Sequence, residues 1–132
     1  MQAIFEHLTE TLLLLFLAIT FLQSGLDKIL DWKGNLGWLK GHFAKTPFKN
    51  LVPQMLFTVL LIESFAGILS LAGIIELVLT GNYWLGYAGA ILACVALLML
   101  LLGQRIAKDY DGARTIVIYL IPTVFLLYLM QP

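Results

Sequence analysis

Four apolar blocks, at about 8–26, 55–75, 83–102 and 115–130, decide most of what this chain can become. At 1.5 Å of rise per residue they measure about 24–32 Å, the last one short, which is the thickness of a bilayer's hydrocarbon core. Backbone groups in lipid must be bonded within their own segment, so blocks of this kind cross as helices. They take up more than half of the 132 residues and leave too little for a soluble domain. The chain is 61% hydrophobic and 12% charged, outside the range of soluble globular proteins. The expected fold is therefore all-α and integral to the membrane, a four-transmembrane-helix bundle forming a single domain over 1–132.

The formal net charge of zero conceals an asymmetry. All eight basic residues lie in two connections: Lys28, Lys33, Lys40, Lys45 and Lys49 between the first and second spans, Arg105, Lys108 and Arg114 between the third and fourth. By the positive-inside rule both connections are cytoplasmic and both termini lie on the outer side. The opening residues MQAIFEHLTE carry no positive charge, and no small-residue cleavage pattern follows the first block, so the first span is expected to be retained. Cys94, the only cysteine, sits in the middle of the third span and reads as a small packing residue. With His7 and His42 the only histidines, no metal-ligand cluster is expected, and nothing points to nucleic acid.

The second span contains the one acidic residue deep inside a block, Glu63. A charged carboxylate at that depth costs roughly 2.5–3.5 kcal/mol, so it must be neutralised, paired or turned toward protein. Glu63, Ala66, Gly67, Ser70 and Gly73 recur at helical spacing and form one narrow face of small and polar residues. That face is expected to be buried, with Leu60, Leu61, Phe65, Leu69 and Leu71 around the rest. The first span ends in a polar stripe of Thr20, Gln23, Ser24, Asp27 and Lys28, which belongs against other helices or a wet cavity. By counting residues, Gln23 and Thr20 lie nearer the level of Glu63 than Lys28 does. Hydrogen bonds from those two, and no tight Glu63–Lys28 ion pair, are expected. Arg105 is expected at the inner rim near Lys28 and Asp27, together with Lys108 and Asp109.

The connection over 30–51 is not simply polar. Trp32, Leu36, Leu39 and Phe43 share one helical face while Lys33, Lys40 and Lys45 lie elsewhere, which predicts an interfacial amphipathic helix between the first two spans. It reads either as a membrane anchor or as a lid over a lipid or quinone site. Gly34, Gly37 and Gly41 weaken it, Thr46-Pro47 should end it, and Pro53 suits the first turn of the second span. Tyr83, Trp84 and Tyr87 mark an outer aromatic belt. In the third span, which should end at Gly103, Gly86, Gly89, Ala90, Ala93 and Ala96 form a small-residue packing face. Asp111-Gly112 reads as a turn, Pro122 should kink the fourth span, and Tyr119 lies one turn before it on the same side.

Four features in order resemble the DoxX-like family of small four-helix membrane proteins, relatives of DoxD, over nearly the whole chain. They are SGLDKI at 24–29, the aromatic glycine-containing connection with its proline, ESFAGILSLAG at 63–73 and QRIAKDY at 104–110. The resemblance implies a bacterial inner-membrane protein linked to redox or stress-response complexes. No nucleophile–base pair, phosphate loop or haem-attachment motif is present in the sequence. The expectation is a membrane subunit of a redox or respiratory-type complex, associated with other membrane subunits. It would have no independent catalysis and no intrinsic cofactor, and would contact quinone or lipid. The alternative is a non-catalytic accessory or assembly protein. Candidate ligand-site residues are Glu63, Gln23, Thr20, Ser24 and Tyr119.

Overall fold

Pro53 sets where the longest helix begins. It stands in the first turn of a 29-residue helix, where its missing N–H would have had no partner. In the computed structural model, which describes residues 2–132, the elements are α1 (Gln2–Glu6), α2 (Leu8–Leu30), α3 (Trp32–His42), α4 (Val52–Thr80), α5 (Trp84–Ile106) and α6 (Tyr110–Met130). The described residues form helices joined by short turns, without strands. Four of the helices, α2, α4, α5 and α6, are long and apolar enough to cross a membrane, which is compatible with a multi-pass membrane protein.

Helix ends follow local chemistry. Gly81 closes α4 in the left-handed conformation at φ 77°, which a glycine adopts without steric cost. Glu76 Oε1 accepts the otherwise orphaned N–H of Leu85 in the first turn of α5 at 3.0 Å. Asp109 caps α6, its Oδ1 accepting from Gly112 N at 2.9 Å. Asp111-Gly112 is therefore the first turn of a helix rather than a loop turn, and α6 starts five residues before Thr115. Helix α5 likewise runs past Gly103 to Ile106. Helix α3 is continuous across Gly34, Gly37 and Gly41 and stops at His42, ahead of Thr46-Pro47.

Helix α4 packs between α2 and α5, α6 lies on α5, and α6 closes onto α2. The core runs through Leu14, Leu17, Phe21, Ala90, Leu97 and Leu126, all buried. The face of Glu63, Ala66, Gly67, Ser70 and Gly73 is buried as its spacing requires, and so is that of Gly86, Gly89, Ala90, Ala93 and Ala96. These two faces meet. A Cβ on Gly73 would lie 2.6 Å from Gly86 Cα, and one on Gly89 would lie 2.9 Å from Ser70 N. Backbone approaches backbone there, and dispersion contacts along the seam replace the hydrophobic drive that lipid cannot supply. Large apolar side chains such as Ile19, Ile68, Leu79 and Ile121 point outward, the surface a bilayer would cover.

Candidate functional site

Helices α2 and α4 run antiparallel, Gly25 lying against Ser64 and Leu22 against Gly67. Side chains on any helix lean toward its N-terminus. Lys28, near the end of α2, therefore leans back along the bundle, while Glu63 leans toward the end where Lys28 stands. The two meet: Lys28 Nζ is 2.9 Å from Glu63 Oε1. Ser24, one turn before Lys28, donates to Glu63 Oε2 at 2.8 Å and accepts from Lys28 Nζ at 2.8 Å. Glu63 is only 2% exposed. Its Oε1 receives the ammonium off the hydrogen-bond line and has no hydrogen bond among the described residues.

This overturns the expected absence of a tight Glu63–Lys28 pair. Residue counting measured the heights of the Cα atoms and ignored the opposite lean of the two side chains and the length of the lysine stem. Gln23 and Thr20 are not partners of Glu63: Gln23 is exposed and Thr20 half-buried, with no hydrogen bond between either and the carboxylate. The polar stripe is in fact split by the helix. Lys28 lies seven residues from buried Phe21, on its side of α2, and Ser24 lies seven from buried Leu17. Gln23 is two residues from Phe21, about 160° round the helix. Heptad spacing from the apolar core was the signal that separated them.

The remaining candidates go elsewhere. Tyr119 is 37% exposed and stacks on Phe16 with ring centroids 6.0 Å apart, outside the Glu63 cluster. Arg105 does not pair with Asp27 and stands over the Tyr110 ring at 4.9 Å. The Asp27 carbonyl accepts from Asn35 at 3.5 Å. Lys108 is exposed at φ 60° in the turn before α6. Asp109, besides capping α6, lies 3.8 Å from His42 Nε2.

Beside the charge cluster opens a cavity of about 480 Å³ between α3, α4 and α5, with Lys28 in its wall. That volume is within the range of about 300–1,000 Å³ typical of small-molecule sites. Its α3 side is aromatic: Trp38 stacks on His42 at 4.6 Å, His42 meets the edge of Phe43 at 5.1 Å, and Phe48 follows at 6.5 Å. Val52, Leu56, Val59, Met99 and Leu100 line the rest. Helix α3 is tied over this cavity at one end. His42 Nε2 donates to Gln104 Oε1 at 2.8 Å, and the Phe43 ring rests against Gly103. Sequence reading did not single out His42, Gln104, Trp38 or Phe48. Their apolar and aromatic neighbours look the same in sequence as lipid-facing residues.

Among the described residues no group of histidine, cysteine, aspartate and glutamate could hold a metal ion. The arrangement offers a lone ammonium, neutralised by a buried carboxylate, at the edge of an apolar chamber. Compared with models of protein families, with curated proteins and with solved structures, the chain matches none.

Proposed function

We propose that this chain is a small subunit of a bacterial cytoplasmic membrane that holds a lipid-phase ligand, of the quinone or lipid class, for a redox or respiratory-type complex. It performs no catalysis of its own. The observation that carries this reading is Lys28, whose side chain belongs to the lining of the 480 Å³ cavity while its amine is fixed by Ser24 and Glu63 beside it. Buried charge is costly in a bundle this small, and a purely structural role would be served as well by apolar packing. In this reading α3 lies in the cytoplasmic interface with Lys33 and Lys40 toward anionic headgroups, and both termini are outside. The redox association comes from the resemblance to DoxX-like proteins. Solvent extraction of the protein purified in mild detergent is expected to yield a bound quinone or lipid, along with co-purifying membrane subunits. A monomer free of both ends the proposal.

One observation favours the accessory or assembly reading instead. The charge cluster ties α2 to α4 where Gly25 and Gly67 already bring those helices together. If its only task is geometry, Glu63→Gln lowers stability or subunit association and leaves ligand content unchanged.

A further inference from the structure

We infer that the outward face of α2 is an interface between two copies of this chain, and that the Gln23 carboxamides bond each other across it. Such an interface is independent of what the cavity holds.

Position on the helix is the first reason. Leu12, Ile19 and Leu26 recur every seven residues, and Gln23 and Leu30 stand seven apart beside them. All five are exposed, and they fall within an arc of about 60°. The other sides of α2 are taken up by the bundle: Leu14, Leu17, Ala18 and Phe21 are buried, and Ser24 and Lys28 reach Glu63. The free arc has the period of a left-handed helix pair, with one polar residue in its seam.

Depth is the second. Leu22 N lies 2.9 Å from a Cβ built on Gly67, which puts Gln23 level with the middle of the 29-residue α4. The Gln23 side chain leans toward the start of α2, away from the basic end, so it cannot snorkel to the headgroups there. Exposed threonines on the long helices satisfy themselves: Thr58, Thr80 and Thr115 each donate to the carbonyl four residues back. The Gln23 carboxamide has no partner among the described residues. Facing acyl chains, it would lose water and gain nothing in return.

Self-complementarity is the third, and it names the occupant. Two copies inserted the same way round oppose residues of equal height about a twofold axis, so a group in the seam meets itself. A carboxamide both donates and accepts and carries no charge, so it complements its own copy, where an acid or a base would repel. Asp27, exposed one turn later, falls outside the arc, and the two carboxylates stay apart. A lone polar pair in an apolar seam also fixes its register.

The test uses the full chain carrying Cys94→Ala, so that any added cysteine is the only one, in liposomes of uncharged phospholipid. Copper phenanthroline is expected to cross-link copies with Ile19→Cys or Leu26→Cys and to spare Leu98→Cys, which is outward on α5. Energy transfer between copies labelled at the C-terminus, titrated against lipid, is expected to saturate at a dimer. Gln23→Leu, close in volume and on an exposed face, should keep the melt of the bundle and weaken association about three- to twenty-fold. Gln23→Asn keeps the carboxamide and should keep most of the association. Undiminished association by Gln23→Leu overturns the pairing of the carboxamides. Cross-linking through Leu98→Cys in place of the α2 positions, or energy transfer no higher than random at every lipid ratio, overturns the interface without Gln23 being substituted. Coupling of Ile19→Cys in native membranes to a different protein and never to itself assigns the face to another subunit, and the second copy is overturned.

Discussion

The two ends of the bundle are built on opposite principles. At the end away from the basic connections, α4 and α5 touch backbone to backbone at Gly73 and Gly86, and the cavity there, beside His7 and Tyr83, is only about 40 Å³. At the basic end α3, α4 and α5 line a half-open cleft of about 480 Å³, and a charge cluster joins α2 to α4 beside it. Small residues draw one end shut. Phe43, Phe48 and Trp38, carried by α3 and the segment after it, line the other. A seam of glycine and alanine therefore explains the close approach of α4 and α5, and the cleft opens where that seam gives out.

The largest test of this contrast is Lys28→Met. It leaves the Glu63 carboxylate buried and unpaired, and breaking a buried pair from one side costs about 3–5 kcal/mol. Melting of the detergent-solubilised protein should fall steeply. Lys28→Met/Glu63→Gln should recover most of the loss, since no ion then remains buried. A single variant that melts like the unsubstituted chain would mean that the basic end is not held by charge.

A matched pair of glycine substitutions comes next. A Cβ on Gly73 meets Gly86 Cα and N at 2.6 Å, and backbone cannot step aside. Gly73→Ala is expected to cost about 1–3 kcal/mol by overpacking. Gly103→Ala, whose Cβ would meet Phe43 Cζ at 3.4 Å in ordinary contact, should be close to neutral. Equal losses from the two would erase the difference between closed and open ends.

Much of this was legible in the chain. The four long helices follow from block length, and the buried faces of α4 and α5 follow from the spacing of small residues. Their ends were less legible. Polarity at Gln104 and Arg105 marks where lipid should stop, whereas the helix continues to Ile106 because its backbone has no reason to break. The start of α6 was hidden in a capping aspartate, Asp109, that reads in sequence as one more charge in a charged loop. Glu63 was found because a carboxylate in an apolar run has few alternatives. Lys28 was misplaced because side-chain lean on antiparallel helices does not appear in residue counts. The cavity was least legible of all. Its wall joins Lys28, the segment around 35–59 and Met99 to Gln104, and no local pattern connects those three stretches.

The smallest effects separate α3 from the bundle it covers. His42→Ala removes the hydrogen bond to Gln104 and one ring of the aromatic side, a net loss of about 1 kcal/mol at one end of a short helix. Amide hydrogen exchange should quicken over Trp32–His42 while the melt of the four long helices stays put. Gly37→Ala should act in the opposite direction. Nothing lies within 4 Å of a Cβ built there, so the methyl group gains helix propensity, up to about 1 kcal/mol, without a clash. Exchange over α3 should slow, again with the long helices unchanged. If either substitution shifted protection along α4 and α5 as strongly as along α3, the eleven-residue helix would be part of the core. The division into a closed end and a covered, open one would then fail.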